Sequence, residues 1–241
     1  MSILKKFSES NFESVQNPDV VGGGYSPLDT GVYEAIIKNA YLIQSQGGAY
    51  GLTIDLSIIG DQVQNHKEAI YISNRNGENY YINKNSGQKS PLPGFMTVNE
   101  LCYLATGKPV SEQEPEGKMV NIYDFDLGKE IPKEVPVITE LSGFRVQVAI
   151  QKVKQNKQEK TDEGYVPTEE IREFNQISKF LDEETGKTWF EQSNDKESTY
   201  KQAWLNQWEG KVLDKTTASN RSRPAPAQAG KEKVATKSLF N

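Results

Sequence analysis

The chain has 241 residues, 35% of them hydrophobic and 25% charged, which is enough for one sizeable core with a polar extension. A single cysteine, Cys102, and a single histidine, His66, exclude an internal disulfide and a Cys/His zinc set. The net charge of −5 hides an asymmetry: residues 211–241 carry seven Lys/Arg against Asp214 and Glu232, so the body is strongly acidic, which counts modestly against nucleic-acid binding unless a local basic groove exists.

No run approaches ~18 consecutive apolar residues, and Met1-Ser2-Ile3-Leu4-Lys5-Lys6 lacks the apolar stretch of a signal peptide. A cytoplasmic protein without membrane contact is expected. Residues 1–29, with Gly22-Gly23-Gly24, read as an arm leading into the fold. A first strand is predicted from about Val32 to Ile43. A second spans 50–59, where Leu52, Ile54, Leu56 and Ile58 alternate with Thr53, Asp55 and Ser57. A third runs from Ala69 to Ser73, and Asn76-Gly77 marks a hairpin turn before Tyr80-Tyr81-Ile82. The best helix signal of the first half covers Phe95 to Ala105, with Thr97 and Glu100 as a capping box and Gly107 as the stop.

Residues 108–118 read as a loop and 119–138 as two extended segments broken by Pro132 and Pro136. The strongest strand is Phe144 to Val153, followed by a polar loop at 155–168. Extended segments at Arg172–Leu181 and Thr188–Glu191 are joined by a hairpin at Glu184-Thr185-Gly186-Lys187. A helix over 196–209 carries Trp204, Leu205 and Trp208 and closes at Gly210. From 214 onward there is no apolar periodicity, so 211–241 is expected to be a flexible basic tail, disordered until Leu239-Phe240. Three strands, a helix and further strands give the order of a mainly β, OB-type barrel over residues 30–210, with a C-terminal helix.

Enzymatic motifs fail. Gly22-Gly23-Gly24 is followed by no Lys-Ser/Thr, so it is not a phosphate loop. His66 reads as a lone surface histidine without a nucleophile. Asp124 and Asp126 read as a solvated pair without a second acidic cluster to hold Mg²⁺. No catalytic residue, metal or cofactor is expected.

Single-strand binding needs cations along the phosphates and exposed aromatic faces for the bases. The stretch 143–160 supplies Arg145, Lys152, Lys154, Lys157 and Lys160 against Glu159 alone; its bland reading is a solvated charge run. Tyr71, Arg75, Tyr80 and Tyr81 lie on or beside the predicted third strand; the bland reading is strand tyrosines packed with their hydroxyls at the surface. Tyr50 and Tyr165 are weaker candidates on loops; Lys67 and Lys84 could contact phosphate, but lysines so placed are more often simple surface lysines. Tyr33, Phe95, Tyr103, Phe144, Trp204 and Trp208 read as packing groups.

Gly31-Val32-Tyr33-Glu34-Ala35-Ile36-Ile37, then Gly48-Ala49-Tyr50-Gly51-Leu52-Thr53-Ile54-Asp55-Leu56, Asn74-Arg75-Asn76-Gly77, Leu92-Pro93-Gly94-Phe95 and Leu101-Cys102-Tyr103-Leu104-Ala105-Thr106-Gly107-Lys108 follow one another in order. This pattern over roughly residues 30–190 resembles the single-stranded-DNA-binding proteins of tailed bacteriophages, particularly of N4-like phages. The resemblance implies an OB fold and sequence-tolerant binding of single strands. It also implies service in phage replication and recombination within the host cytoplasm, and host RNA polymerase or phage replication proteins as partners. The tail departs from the acidic tail of many such proteins. Its Lys231, Lys233 and Lys237 are expected to approach an acidic partner while Leu239 and Phe240 anchor in an apolar pocket. Two other readings remain open: an adaptor recruiting polymerase or replication proteins through its tail, and an OB-like domain that recognises a protein or a sugar.

Overall fold

The computed structural model describes residues 26–60, 64–124, 127–161 and 164–217. Strands β1 (Gly31–Gln44) and β2 (Tyr50–Ile59) pair antiparallel, with Leu42 opposite Leu52 and Ala40 opposite Ile54. The strict alternation of β2 does what period two requires: Leu52, Ile54, Leu56 and Ile58 are all buried. A bulge in β1 between Ile37 and Asn39 shifts the side-chain parity. Ala35 and Ile37 before it, and Ala40 after it, therefore all reach the core.

β3 (Gln64–Tyr71) pairs with β2. It begins earlier and ends earlier than expected, because its outward residues Asn65 and Lys67 are polar and only His66 and Ile70 are buried. His66 is thus not a surface residue: it faces inward opposite Leu56, with its Nε2 at 3.2 Å from Glu68 Oε2. The expected hairpin beyond β3 is also corrected. β4 (Tyr80–Ile82) pairs with β5 (Lys89–Pro91) in a separate two-stranded ribbon, and the turn at Asn76-Gly77 leads into that ribbon instead of back onto β3.

Helix α1 spans Pro93–Thr106 and ends at Gly107 as expected, burying Val98, Leu101 and Cys102 against the sheet. Its start lies earlier than the predicted cap. Pro93 occupies the first turn, where a missing N–H costs nothing, and Thr97 instead donates its hydroxyl to the Pro93 carbonyl at 3.1 Å. Glu100 turns inward and pairs with Lys179. Gly94 permits this docking, since a Cβ there would lie 2.2 Å from the Tyr71 carbonyl oxygen. Burial pushes the Cys102 thiol up to about 12.

β6 (Glu116–Asp124) and β7 (Lys129–Val137) form one hairpin arm whose ladder to β1, among the described residues, is the pair Tyr41 and Val137. Pro132 and Pro136 lie within β7 without breaking it, as an edge strand with one long neighbour allows. β8 (Arg145–Thr161) and β9 (Gly164–Asp182) make a long hairpin, so the predicted loop at 155–168 is instead its distal half. The polar side chains there carry no periodicity because both faces of the projecting ribbon meet water.

The predicted strand at Thr188–Glu191 is a helix, α2 (Trp189–Ser193). Thr188 and Glu191 form a reciprocal capping box: Glu191 N–H donates to Thr188 Oγ1 at 3.1 Å, and Thr188 N–H to Glu191 Oε2 at 2.9 Å. Helix α3 (Tyr200–Trp208) follows, anchored by Trp204, whose Nε1 donates to Ser178 Oγ at 3.2 Å. The chain then adds β10 (Val212–Asp214), parallel to β8 at Lys152–Lys154.

The protein is mainly β, and the main sheet follows the path β10-β8-β1-β2-β3, with β9 on the other edge of β8. Among the described residues no backbone ladder joins β3 to β9, so the sheet is not closed into a barrel by main-chain pairing. Among the same residues no helix is long and apolar enough to cross a membrane.

Candidate nucleic-acid interface

Since Leu52, Ile54 and Leu56 fill the inner face, the same alternation turns Gly51, Thr53, Asp55 and Ser57 of β2 outward. Opposite them stand Tyr71, Ala69, Lys67 and Asn65 of β3. The β6–β7 arm overhangs this outer face and encloses a cavity of about 570 Å³ lined by Lys38, Asn39, Asp55, Asn65, Lys67 and, from the arm, Met119 and Asn121. Across β3 lies the open seam with β9, a second cavity of about 900 Å³ bordered by Asn65, Lys67, Gln155, Arg172 and Phe174. Asn65 and Lys67 belong to both, so one trough crosses β3 from the arm to the seam.

The chemistry of this trough is mixed. Lys38 pairs with Asp55 at 3.0 Å. Lys67 makes no ion pair among the described residues, and Arg172 lies against the ring of Phe174, 5.0 Å from its centroid. Asn39, Asn65, Asn121 and Gln155 offer amide donors and acceptors. Such a surface suits a polar, partly charged polymer with hydrogen-bonding edges better than a small apolar ligand.

At the upper end of β3, Tyr71 is 46% exposed and its ring leans over Gly51, where an added Cβ would lie 3.2 Å from the ring. Arg75 is exposed in the following turn, and Tyr81 is exposed on β4. Tyr80 is already engaged: its hydroxyl donates to Glu78 at 2.7 Å and the Lys89 ammonium sits 4.0 Å from its ring centroid. The Asn74 amide first, then the Tyr80 hydroxyl and the nearby Lys89 charge, hold the Glu78 carboxyl below the usual range.

The basic stretch of β8 is arranged differently from a free cationic edge. Arg145 pairs with Glu183, Lys152 with Asp29 at 3.4 Å and Glu173 at 3.8 Å, and Lys157 with Glu170 at 2.8 Å. Lys154 stands opposite Glu173 in the ladder, and Lys160 opposite Tyr165 near the hairpin tip. The two groups of candidates do not form one patch. Tyr71 adjoins Gly51 and hence Ile43 at one end of β1, whereas Lys152 lies beyond Ile150, opposite Gly31 at the other. Lys231, Lys233, Lys237, Leu239 and Phe240 lie outside the described residues, as does Asp126; Asp124 pairs with Lys133 at 3.0 Å.

Lys67, Asn65, Lys38 and Asn121 were not among the residues singled out for the site. The signal for Lys67 and Asn65 was present: carrying the period-two pattern of β3 back from Ile70 through His66 puts both on the outer face. No protein-family model matches the chain, and no curated protein is detectably similar to it.

Proposed function

We propose that this chain is a non-catalytic, sequence-tolerant single-stranded-DNA-binding protein on an OB-type frame, acting in phage replication and recombination in the host cytoplasm. The frame reading is supported by strand order. Written as β3-β2-β1-β8-β9, the path has the order of a five-stranded barrel with one seam left unladdered, and α1 packs between β3 and β9. In such frames the face of the second and third strands takes oligonucleotides. The observation that carries the functional reading is the trough across β3, with Lys67, which makes no ion pair among the described residues, at its centre and Tyr71 exposed at its end.

In this reading phosphates pass Lys67 and Arg172, amides meet base edges without enforcing a sequence, and Tyr71 stacks a base. The ion pairing of Arg145, Lys152 and Lys157 favours a second reading, in which the chain is an adaptor that recruits host RNA polymerase or replication proteins through Lys231–Phe240. An electrophoretic shift with oligo(dT) separates the two. Wild-type protein shifts the oligonucleotide at low salt, and Lys67→Glu shifts it several-fold less while keeping its melting temperature. No shift by the wild type, or an undiminished shift by the variant, overturns the trough as the binding surface.

A further inference from the structure

Above the trough, a third cavity of about 600 Å³ opens beneath the turn that joins Tyr71 to Tyr80 and Tyr81. Its walls are apolar: Leu42, Tyr50, Ile72, Phe95, Val110 and Ile138. Asn79 and Ser111 stand at its rim with side chains that make no hydrogen bond among the described residues. We infer that this cavity receives one nucleobase of a bound single strand, an inference that rests on the strand-binding reading above.

Three features favour a base over other occupants. The cavity has apolar and aromatic faces with a few polar groups at the edge, the pattern that suits a flat ring with hydrogen-bonding substituents. Tyr50, 48% exposed, forms one of its faces, and the next residue along β2, Gly51, is the one the Tyr71 ring leans over, so the cavity opens one residue along the strand from the stacking position. Its rim also disfavours a phosphate, since Glu112 and Glu114 flank the lining residue Gln113, which leaves the neutral base as the part of a nucleotide that enters.

The walls are already fixed. Ile72 N–H and Ser73 N–H both donate to the Tyr50 carbonyl, at 2.9 and 3.2 Å, and Tyr50 N–H donates to Ser73 Oγ at 2.8 Å. On the other side Val110 N–H donates to Asn99 Oδ1 at 3.0 Å. Gln113 Nε2 donates to Thr106 Oγ1 at 3.0 Å and to the Pro109 carbonyl at 3.1 Å. A base therefore enters a pre-formed slot and bears little ordering cost.

The test compares wild type and Ser111→Leu, which places an apolar side chain at the rim on an exposed turn. Each is titrated with oligo(dT) and with an abasic oligonucleotide of equal length at low salt, and Asn79→Ala serves as a second variant. The inference expects Ser111→Leu to bind oligo(dT) about tenfold more weakly, the value of one stacked base. Abasic binding stays unchanged, and Asn79→Ala moves in the same direction by less. If the wild type binds both oligonucleotides and Ser111→Leu binds them equally well or tighter, or weakens on both alike, the base slot is wrong and the strand-binding reading stands. If the wild type binds neither, that reading itself fails and this inference with it.

Discussion

The carboxylate of Glu68 accepts the backbone N–H of Ile177 at 2.6 Å and so joins β3 to β9 where no backbone ladder does. The same oxygen lies 3.2 Å from His66 Nε2, so one partly buried side chain holds both a main-chain donor and an imidazole at the seam. Replacing Glu68 by Ala leaves the buried Ile177 N–H without a partner, at a cost of about 1–3 kcal/mol. The urea midpoint of Glu68→Ala falls accordingly, and Glu68→Gln, which keeps an acceptor, recovers most of the loss. Equal midpoints for wild type and Glu68→Ala would show that the bridge carries no stability.

Glu191 supplies an acid-dependent term. Its burial alone would raise the carboxyl, but backbone N–H groups of Thr188, Tyr200 and Thr199 outweigh it and hold the group at about 2. The folded value lies below the unfolded one. Its contribution, on the order of 3 kcal/mol, is therefore complete above about pH 4.5 and is lost as pH falls toward 2. Melting curves across that range should show the gap between wild type and Glu191→Gln closing as pH drops. A gap that stays constant with pH contradicts this assignment.

β10 ties the C-terminal end of the described residues to the sheet. Thr30 Oγ1 donates to the Lys211 carbonyl, Lys215 N–H donates to the Lys154 carbonyl at 2.8 Å, and Thr217 N–H to Asn156 Oδ1 at 2.8 Å. A chain ending at Thr217 should melt with the full-length protein, and one ending at Gly210 should melt about 5 °C lower. Identical melting of the two truncations would make β10 an ornament on the sheet.

The core strands were legible because burial of one face imposes alternation. β2 was read at its full length, and Val146, Val148 and Ile150 of β8 are buried as their pattern requires. The distal β8–β9 ribbon was not legible, since a hairpin solvated on both faces has no hydrophobic period. Helix α2 was missed although Thr188-Trp189-Phe190-Glu191 carries the capping-box spacing, because the turn before it suggested a returning strand. At the site, Tyr71, Arg75 and Tyr81 were legible as exposed groups near β3. The pairing of the β8 lysines was not, because their partners Glu170 and Glu173 come from the returning strand and Asp29 from the segment preceding β1, all distant in sequence. Lys67 precedes the apolar run that begins at Ala69, so the sequence shows it as a surface lysine able to contact phosphate but not as part of a strand face.

The most direct measurement of the central claim is filter binding of single-stranded and duplex oligonucleotides across a salt series. Among the described residues, Lys67, Arg75 and Arg172 make no ion pair, and neutralising about three phosphates of a single strand gives a slope of log K against log salt near −2. The account predicts that slope together with tighter binding to the single strand than to the duplex and little dependence on its sequence. Absence of single-strand binding at low salt, a flat salt profile or a preference for duplex would contradict it.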